Sequence, residues 1–358
     1  MTPPRIVIMA NNITELGGAQ RIAHVLAQGL ASRGYPVQLV GIAPKEPRHQ
    51  YFDDPQYASV ELLAEPLPQD SESRSRLRKQ AVRRLSDLLA AGEPGLVITT
   101  QVWCMEHLAE AAHAGWRVIG QYHSSYEAAA GGKDLGRLVD AYADIDWFTL
   151  LTESDAAHFR RHGMPHAVAM SNPLAYWPAA PASLDDPVVT YLGRLSSEKA
   201  PLLLLEAWER IAHAHPGWRL QFVGSGPLRG DVLNRAGERV SVVEPSADPE
   251  AVLRASGVLV LPSLVEGFPL ALVEAMASGL AVVASDCSAG VRELVEDEVT
   301  GLLATRGDAA SLASQLDRLL ASADLRHRLG AAARERVAAY RQERILDRWE
   351  WLIAQTLR

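Results

Sequence analysis

Two glutamates, Glu266 and Glu274, stand in the stretch PSLVEGFPLALVEAMASGLA that runs from Pro262 to Ala281. The apolar run Val258 to Leu261, bounded by Pro262 and Ser263, reads as a buried strand, and Pro269 to Ala277 carries apolar residues at helical spacing. Gly267 and Pro269 bracket the turn between them. A helix start leaves its first amide hydrogens unpaired and partly positive, so the amides near Phe268 and Leu270 would face an anion such as a nucleotide diphosphate. The ring of Pro269 removes one of those donors. Carboxylates beside a phosphate would repel it, so Glu266 and Glu274 are expected to accept hydrogen bonds from hydroxyls of a sugar and a ribose. The simpler reading of either acid alone is a helix with a residue that complements its dipole.

Arg194 and Lys199 follow a strand-like run, five residues apart, which lets two cations converge from a loop and a helix start. Two cations suit two phosphates, and together they can take the place of a divalent metal on a leaving diphosphate. No Asp-x-Asp metal motif is present, and the adjacent Asp185 and Asp186 have no other metal-ligand company, so no metal and no cofactor is expected. Gly224-Ser225-Gly226 ends another strand-like run and would let backbone approach a diphosphate or nucleoside without a Cβ in the way. Gly17 and Gly18, before a helix start, could cap the diphosphate in the same manner. Each pair taken alone is also simply a turn or a surface pair.

The elements that would position these residues fall into two series. Arg5 to Met9, Ala19 to Arg33 and Val37 to Ile42 read as strand, helix and strand, and Leu96 to Thr99, Arg117 to Tyr122, Trp147 to Leu151 and Ala167 to Met170 continue a sheet. A stretch rich in proline and alanine, through Pro187, reads as a linker. A second sheet is expected from Val188 to Gly193, Arg219 to Gly224, Val240 to Val243, Val258 to Leu261 and Ala281 to Ser285. Such sheets bind ligands at the carboxyl ends of their strands, where the glycine loops, Arg194 and Glu266 all fall. His123, in Gln121-Tyr122-His123-Ser124, also ends a strand.

In order and spacing these motifs resemble those of the retaining glycosyltransferases of GT-B architecture, specifically glycosyltransferase family 4, also called the glycosyl transferases of group 1. Gly193-Arg194-Leu195-Ser196-Ser197-Glu198-Lys199 is similar to its Gly-Arg-Leu...Glu-Lys segment, Gly224-Ser225-Gly226-Pro227-Leu228 to its Gly-x-Gly-Pro loop, and Gly17-Gly18-Ala19 to its first loop. The resemblance implies an α/β fold of two Rossmann-like doubly wound domains facing a cleft: an N-terminal acceptor domain over 1–172 and a C-terminal donor domain over 173–340. The last helix, 341–358, would cross back to the N-terminal domain, with Trp349 and Trp351 packed between the domains or in ordinary helix packing. It also implies that Arg194 and Lys199 hold the diphosphate, that Glu266 and the amides of Gly267 to Leu270 engage the donor sugar, that Glu274 holds the ribose, and that His123 lies near the reacting sugar. The chemistry so implied is metal-independent, retaining transfer from a nucleoside-diphosphate sugar, with UDP favoured, to an acceptor hydroxyl of a surface glycan, glycolipid or wall polymer. The base pocket departs from the family, which often has a glycine where Val243-Glu244-Pro245 stands.

Composition bounds the rest. A chain of 358 residues suffices for two domains, and a net charge of −8 argues against nucleic acid as a partner. Cys104 and Cys287 lie far apart with no ligand spacing, and are read as buried small hydrophobes. The N-terminus runs straight into a strand with no apolar segment, so a cytoplasmic protein is expected. Arg74 to Arg84, RSRLRKQAVRR, is basic within this acidic chain: either a solvated helix face or a contact with an anionic membrane surface or polyphosphate acceptor. Competing readings are an epimerase or phosphorylase on the same scaffold and a noncatalytic sugar-nucleotide binding module. A dehydrogenase is disfavoured because the first loop lacks Gly-x-Gly-x-x-Gly.

Overall fold

Strands buried on both faces must be apolar along their whole length, and this chain has two sets of them. The computed structural model describes residues 3–132, 134–246 and 248–358. Met1 and Thr2, where the expected N-terminal domain begins, lie outside them. The chain divides into two compact units, Met1–Ala175 with Gln342–Arg358, and Tyr176–Arg341.

In the first unit the strands are β1 (Ile6–Ala10), β2 (Val37–Gly41), β3 (Ala58–Glu61), β4 (Leu96–Thr99), β5 (Arg117–Tyr122), β6 (Trp147–Leu150) and β7 (Ala167–Ala169). They lie in the order β3-β2-β1-β4-β5-β6-β7, and every neighbouring pair is parallel. The Gly18–Ser32 helix follows β1. The Gln342–Thr356 helix belongs to this unit and packs on it: Arg33 bonds Glu343 O at 2.9 Å and pairs with Asp347 at 2.7 Å. Trp349 is 1% exposed there. Trp351 is 59% exposed, so only the first of the two tryptophans is packed.

The second unit holds β8 (Val188–Leu192), β9 (Arg219–Val223), β10 (Val240–Val243), β11 (Val258–Leu261), β12 (Ala281–Ser285) and β13 (Leu302–Ala304), in the order β10-β9-β8-β11-β12-β13. Its neighbouring strands are likewise parallel. β3 and β13, absent from the sequence expectation, are short strands at sheet edges. Both units are doubly wound, and in each the strand order reverses between the first and fourth strands, β1 and β4 or β8 and β11. Loops leaving the carboxyl ends at that reversal splay to opposite sides and leave a crevice for ligand.

Candidate functional site

The crevice of the second unit is framed by the loops after β8 and β11. The first carries Arg194 and Lys199, and the second carries Glu266. Tyr191, near the end of β8, donates its hydroxyl to Arg194 O at 2.6 Å, which sets the direction of the first loop. Ser196 Oγ donates to Glu198 Oε1 at 2.6 Å, and this bond holds the Glu198 carboxyl below its usual range. Leu264 N donates to Glu198 O at 2.8 Å, so the two loops are stitched together. The first loop enters the Pro201–Ile211 helix through Ala200 at φ 46, a left-handed conformation that costs a residue with a Cβ about 1 kcal/mol.

Glu266 is 5% exposed, and a carboxylate so buried needs partners. It has two, through three hydrogen bonds: Lys199 Nζ lies 2.7 Å from Oε1 and 2.8 Å from Oε2, and Ser263 Oγ donates to Oε1 at 2.7 Å. Lys199, expected from the sequence to hold a diphosphate, is thus engaged by Glu266. The reason is the parallel neighbourhood of β8 and β11, which brings residues 67 apart in the chain to adjacent loop positions. Arg194 differs. It is exposed and makes no side-chain hydrogen bond among the described residues. Ser263, fully buried, was not singled out from the sequence; its position three residues before a buried acid in a strand-to-helix loop is the signal that could have found it.

The Leu270–Ala277 helix starts at Pro269 with no side-chain cap, and the amides of its first turn have no helical acceptor. Gly267, Phe268, Pro269 and Leu270 therefore lie at the helix start, as expected. The ring of Phe268 is 5% exposed and packs edge-on against Tyr340 at 5.1 Å, which leaves its backbone rather than its ring available to a ligand. Glu274, in the same helix, is 2% exposed and partnered. Cys287 is half-buried rather than buried as Cys104 is; burial first, then the charge of Glu266, pushes its thiol up to about 11, so it stays protonated.

The glycines of the β9 loop have a packing role. Gly224 and Gly226 have φ of 152 and 153, and Cβ atoms there would lie 1.9 Å from Gly193 O and 2.4 Å from Leu195 O. Those hydrogens thus let the β9 loop press against the backbone of the Arg194 loop, to which Leu195 N also bonds Ser225 O at 2.8 Å. They thereby support the cation-bearing loop. Val243-Glu244-Pro245 ends β10, where Glu244 pairs with Arg229 at 2.8 Å.

In the first unit, Gly17 is the N-cap of the Gly18–Ser32 helix, and its amide donates to the Tyr51 hydroxyl at 2.9 Å. Gly18 opens the helix proper. His123 follows β5, and both its ring nitrogens are shut off from solvent without a hydrogen bond among the described residues. Burial, opposed by nearby Asn172, pushes the ring down to about 4, so it is neutral at physiological pH. A base with a folded pKa below its unfolded value weakens the native state as pH falls from about 6.5 toward 4, because only the unfolded chain takes up the proton. The His123 ring resonances are expected to stay fixed from pH 8 to about 5.5 in an NMR titration; a midpoint near 6.5 would contradict this environment.

The basic segment lies in the Ser71–Ala90 helix, capped by Asp70 through Ser73 N at 2.8 Å. Arg74, Arg78 and Arg84 are engaged by Pro68 O, Glu110 and Leu62 O. Arg76, Lys79 and Arg83 are exposed and follow helical spacing along one face. Among the described residues no helix is long and apolar enough to cross a membrane.

Comparison with known proteins bears directly on this arrangement. Residues 16–173 match the family described as Glycosyltransferase Family 4, and residues 186–322 match that described as Glycosyl transferases group 1. An uncharacterized glycosyltransferase of Haemophilus influenzae is 26% identical over 350 residues, 96% of this chain and 98% of that protein. Among solved structures, sucrose-phosphate synthase from Thermosynechococcus elongatus superimposes with a TM-score of 0.83 at 22% identity, covering 99% of each chain. S. aureus TarM, solved with UDP, α-GlcNAc-glycerol and fondaparinux, does so with a TM-score of 0.82 at 14% identity, covering 98% and 99%. These likenesses establish a GT-B fold.

Proposed function

Because this chain belongs to glycosyltransferase family 4, within the glycosyl transferases of group 1, we propose that it moves a sugar from a UDP-sugar to an acceptor hydroxyl, with retention and without a metal. The observation that carries this reading is the gathering of Arg194, Lys199 and Glu266 on two stitched loops at the strand-order reversal of the second unit. Arg194 offers a free planar fork to diphosphate oxygens, and the uncapped helix start at Leu270 adds partial positive charge. Glu274 holds the ribose. UDP is favoured because TarM was solved with it. In the first unit Gly18 offers its amide to an anion, the Gly17 amide being engaged by Tyr51, and His123, neutral, bonds a sugar hydroxyl.

Retention could run through a carboxylate nucleophile. Glu266 suits that role poorly, because Lys199 spans both its oxygens and Ser263 holds Oε1. A front-face attack fits better. The acceptor hydroxyl approaches an oxocarbenium-like sugar on the side the diphosphate leaves, and the departing phosphate oxygen takes the hydroxyl proton. Catalysis then rests on cations that stabilise the leaving diphosphate. The setting we propose is bacterial surface glycan, glycolipid or wall-polymer synthesis in the cytoplasm, with Arg76, Lys79 and Arg83 meeting anionic lipid at the inner membrane face.

A thermal-shift screen against UDP, GDP, ADP and their sugars tests the donor. UDP at about 100 times its Kd should add about 2.7 kcal/mol of stability by mass action. A melting point indifferent to all of them would sink the nucleotide-sugar reading. Slow release of free sugar from the donor without acceptor separates an enzyme from a binding module.

A further inference from the structure

His327, Ala331, Arg334 and Ala338 recur at helical spacing, which sets them along one face of the Ala323–Val337 helix and the turn that follows it. Ala331 and Ala338 end at Cβ, where longer side chains would fill the space, and a hollow is left. Its remaining wall comes from Trp177, Pro181 and Leu184 of the segment before β8, and the cavity measures about 470 Å³. Pockets for small molecules run from about 300 to 1,000 Å³. Leu184 precedes β8 and Gly279, also in the wall, precedes β12, so this part of the cavity lies toward the amino ends of the strands. The crevice with Arg194 and Glu266 stands at their carboxyl ends.

Two guanidinium groups share the ring of Trp177: Arg341 Cζ lies 3.9 Å and Arg334 Cζ 4.6 Å from its centroid. They differ in their hydrogen bonds. Arg334 donates to Pro178 O at 2.6 Å and to Ala277 O, which makes it a fixed charge. Arg341 is exposed, and its N–H donors have no acceptor and no ion pair among the described residues. Burial, followed by the neighbouring charge of Arg341, lowers the pKa of Arg334, the mark of like charges brought together. Glu335, the one acid among the lining residues, pairs with neither among the described residues. An anion would offset both cations. An inorganic ion leaves the apolar walls wet, however, and a neutral apolar molecule leaves the two charges uncompensated.

We infer that this cavity binds a small organic anion, its phosphate or carboxylate on the Arg341 fork beside Arg334 and its apolar body against Trp177, Leu184 and the two alanines. The site is separate from the donor crevice, and it stands whether or not the chain uses a nucleotide sugar.

Calorimetric titration of the full chain with phenyl phosphate, phenylacetate, inorganic phosphate and benzyl alcohol reads the charge and the apolar body separately. At least one aromatic anion should bind with a Kd of about 1 mM or tighter, and inorganic phosphate and benzyl alcohol about tenfold more weakly. The tighter of the two anions identifies the head group. Arg341→Gln should weaken that ligand about tenfold or more, the loss of a charge-assisted hydrogen bond, with little change in melting temperature because the side chain is exposed. Ala331→Phe fills the hollow from an exposed helix position and should abolish binding with both cations still in place. Arg194→Ala, in the donor crevice, should leave the affinity within about twofold, since distant sites act independently. Binding lost in Arg194→Ala and kept in Arg341→Gln would put the anion in the donor crevice and overturn the site. So would a Kd above about 10 mM for both aromatic anions, inorganic phosphate or benzyl alcohol binding as tightly as either, or an affinity that Ala331→Phe leaves unchanged.

Discussion

Arg194→Ala is expected to lower turnover by about 100- to 1,000-fold while leaving the melting temperature unchanged. The two halves of this result have separate causes. Arg194 extends from the loop after β8 with its side chain exposed and unbonded among the described residues, so its removal breaks no side-chain hydrogen bond among them. The backbone that carries it is held by other groups, the Tyr191 hydroxyl on Arg194 O and the Leu195 to Ser225 bond. Turnover suffers because loss of one preorganised charge aimed at a leaving group typically costs two to three decades. Arg194→Lys keeps the charge but not the planar fork, and should recover part of the loss. Donor hydrolysis or transfer, measured beside a thermal melt, checks both halves. Turnover within threefold of the parent in Arg194→Ala would remove the residue from the diphosphate and with it the metal-independent mechanism.

The doubly wound architecture was legible because strands covered on both faces must be apolar throughout. IVIMA, LVIT, VLVL and AVVAS are such runs, and the strands found there are β1, β4, β11 and β12. β3 reads ASVE, exposed or half-buried at a sheet edge where the apolar signal fades, and β13, though apolar, is only three residues long. The candidate site was legible as residue types, because two cations and two acids on strand-end loops are few enough to notice. Their partners were not. The Lys199–Glu266 pair depends on β8 lying beside β11 with two strands intervening in sequence, and Ser263 is one serine among many until the fold buries it. The packing role of the glycines was hidden for a similar reason. A Cβ on Gly224 or Gly226 would lie 1.9 Å from Gly193 O or 2.4 Å from Leu195 O, and only the fold brings that backbone alongside.

The same pair yields the second large effect, and it is one of non-additivity. Lys199→Met should lower both turnover and stability, because it strands the Glu266 carboxylate, 5% exposed, with only Ser263 as donor among the described residues. Removing one partner of a buried pair costs about 3–5 kcal/mol; with the lysine side chain 32% exposed, water can enter, and about 2 kcal/mol is the expected figure here. Glu266→Gln alone leaves the lysine free to reach solvent and should cost less. In the double variant the buried charge is gone, so much of the stability lost in Lys199→Met should return, giving a coupling of about 1–2 kcal/mol in a denaturation cycle. Activity should not return with it, since the group that orients the sugar and the cation beside it are both absent. If stability and turnover recovered together, the pair would serve the fold alone. If the cycle were additive, the lysine would not be what compensates the glutamate.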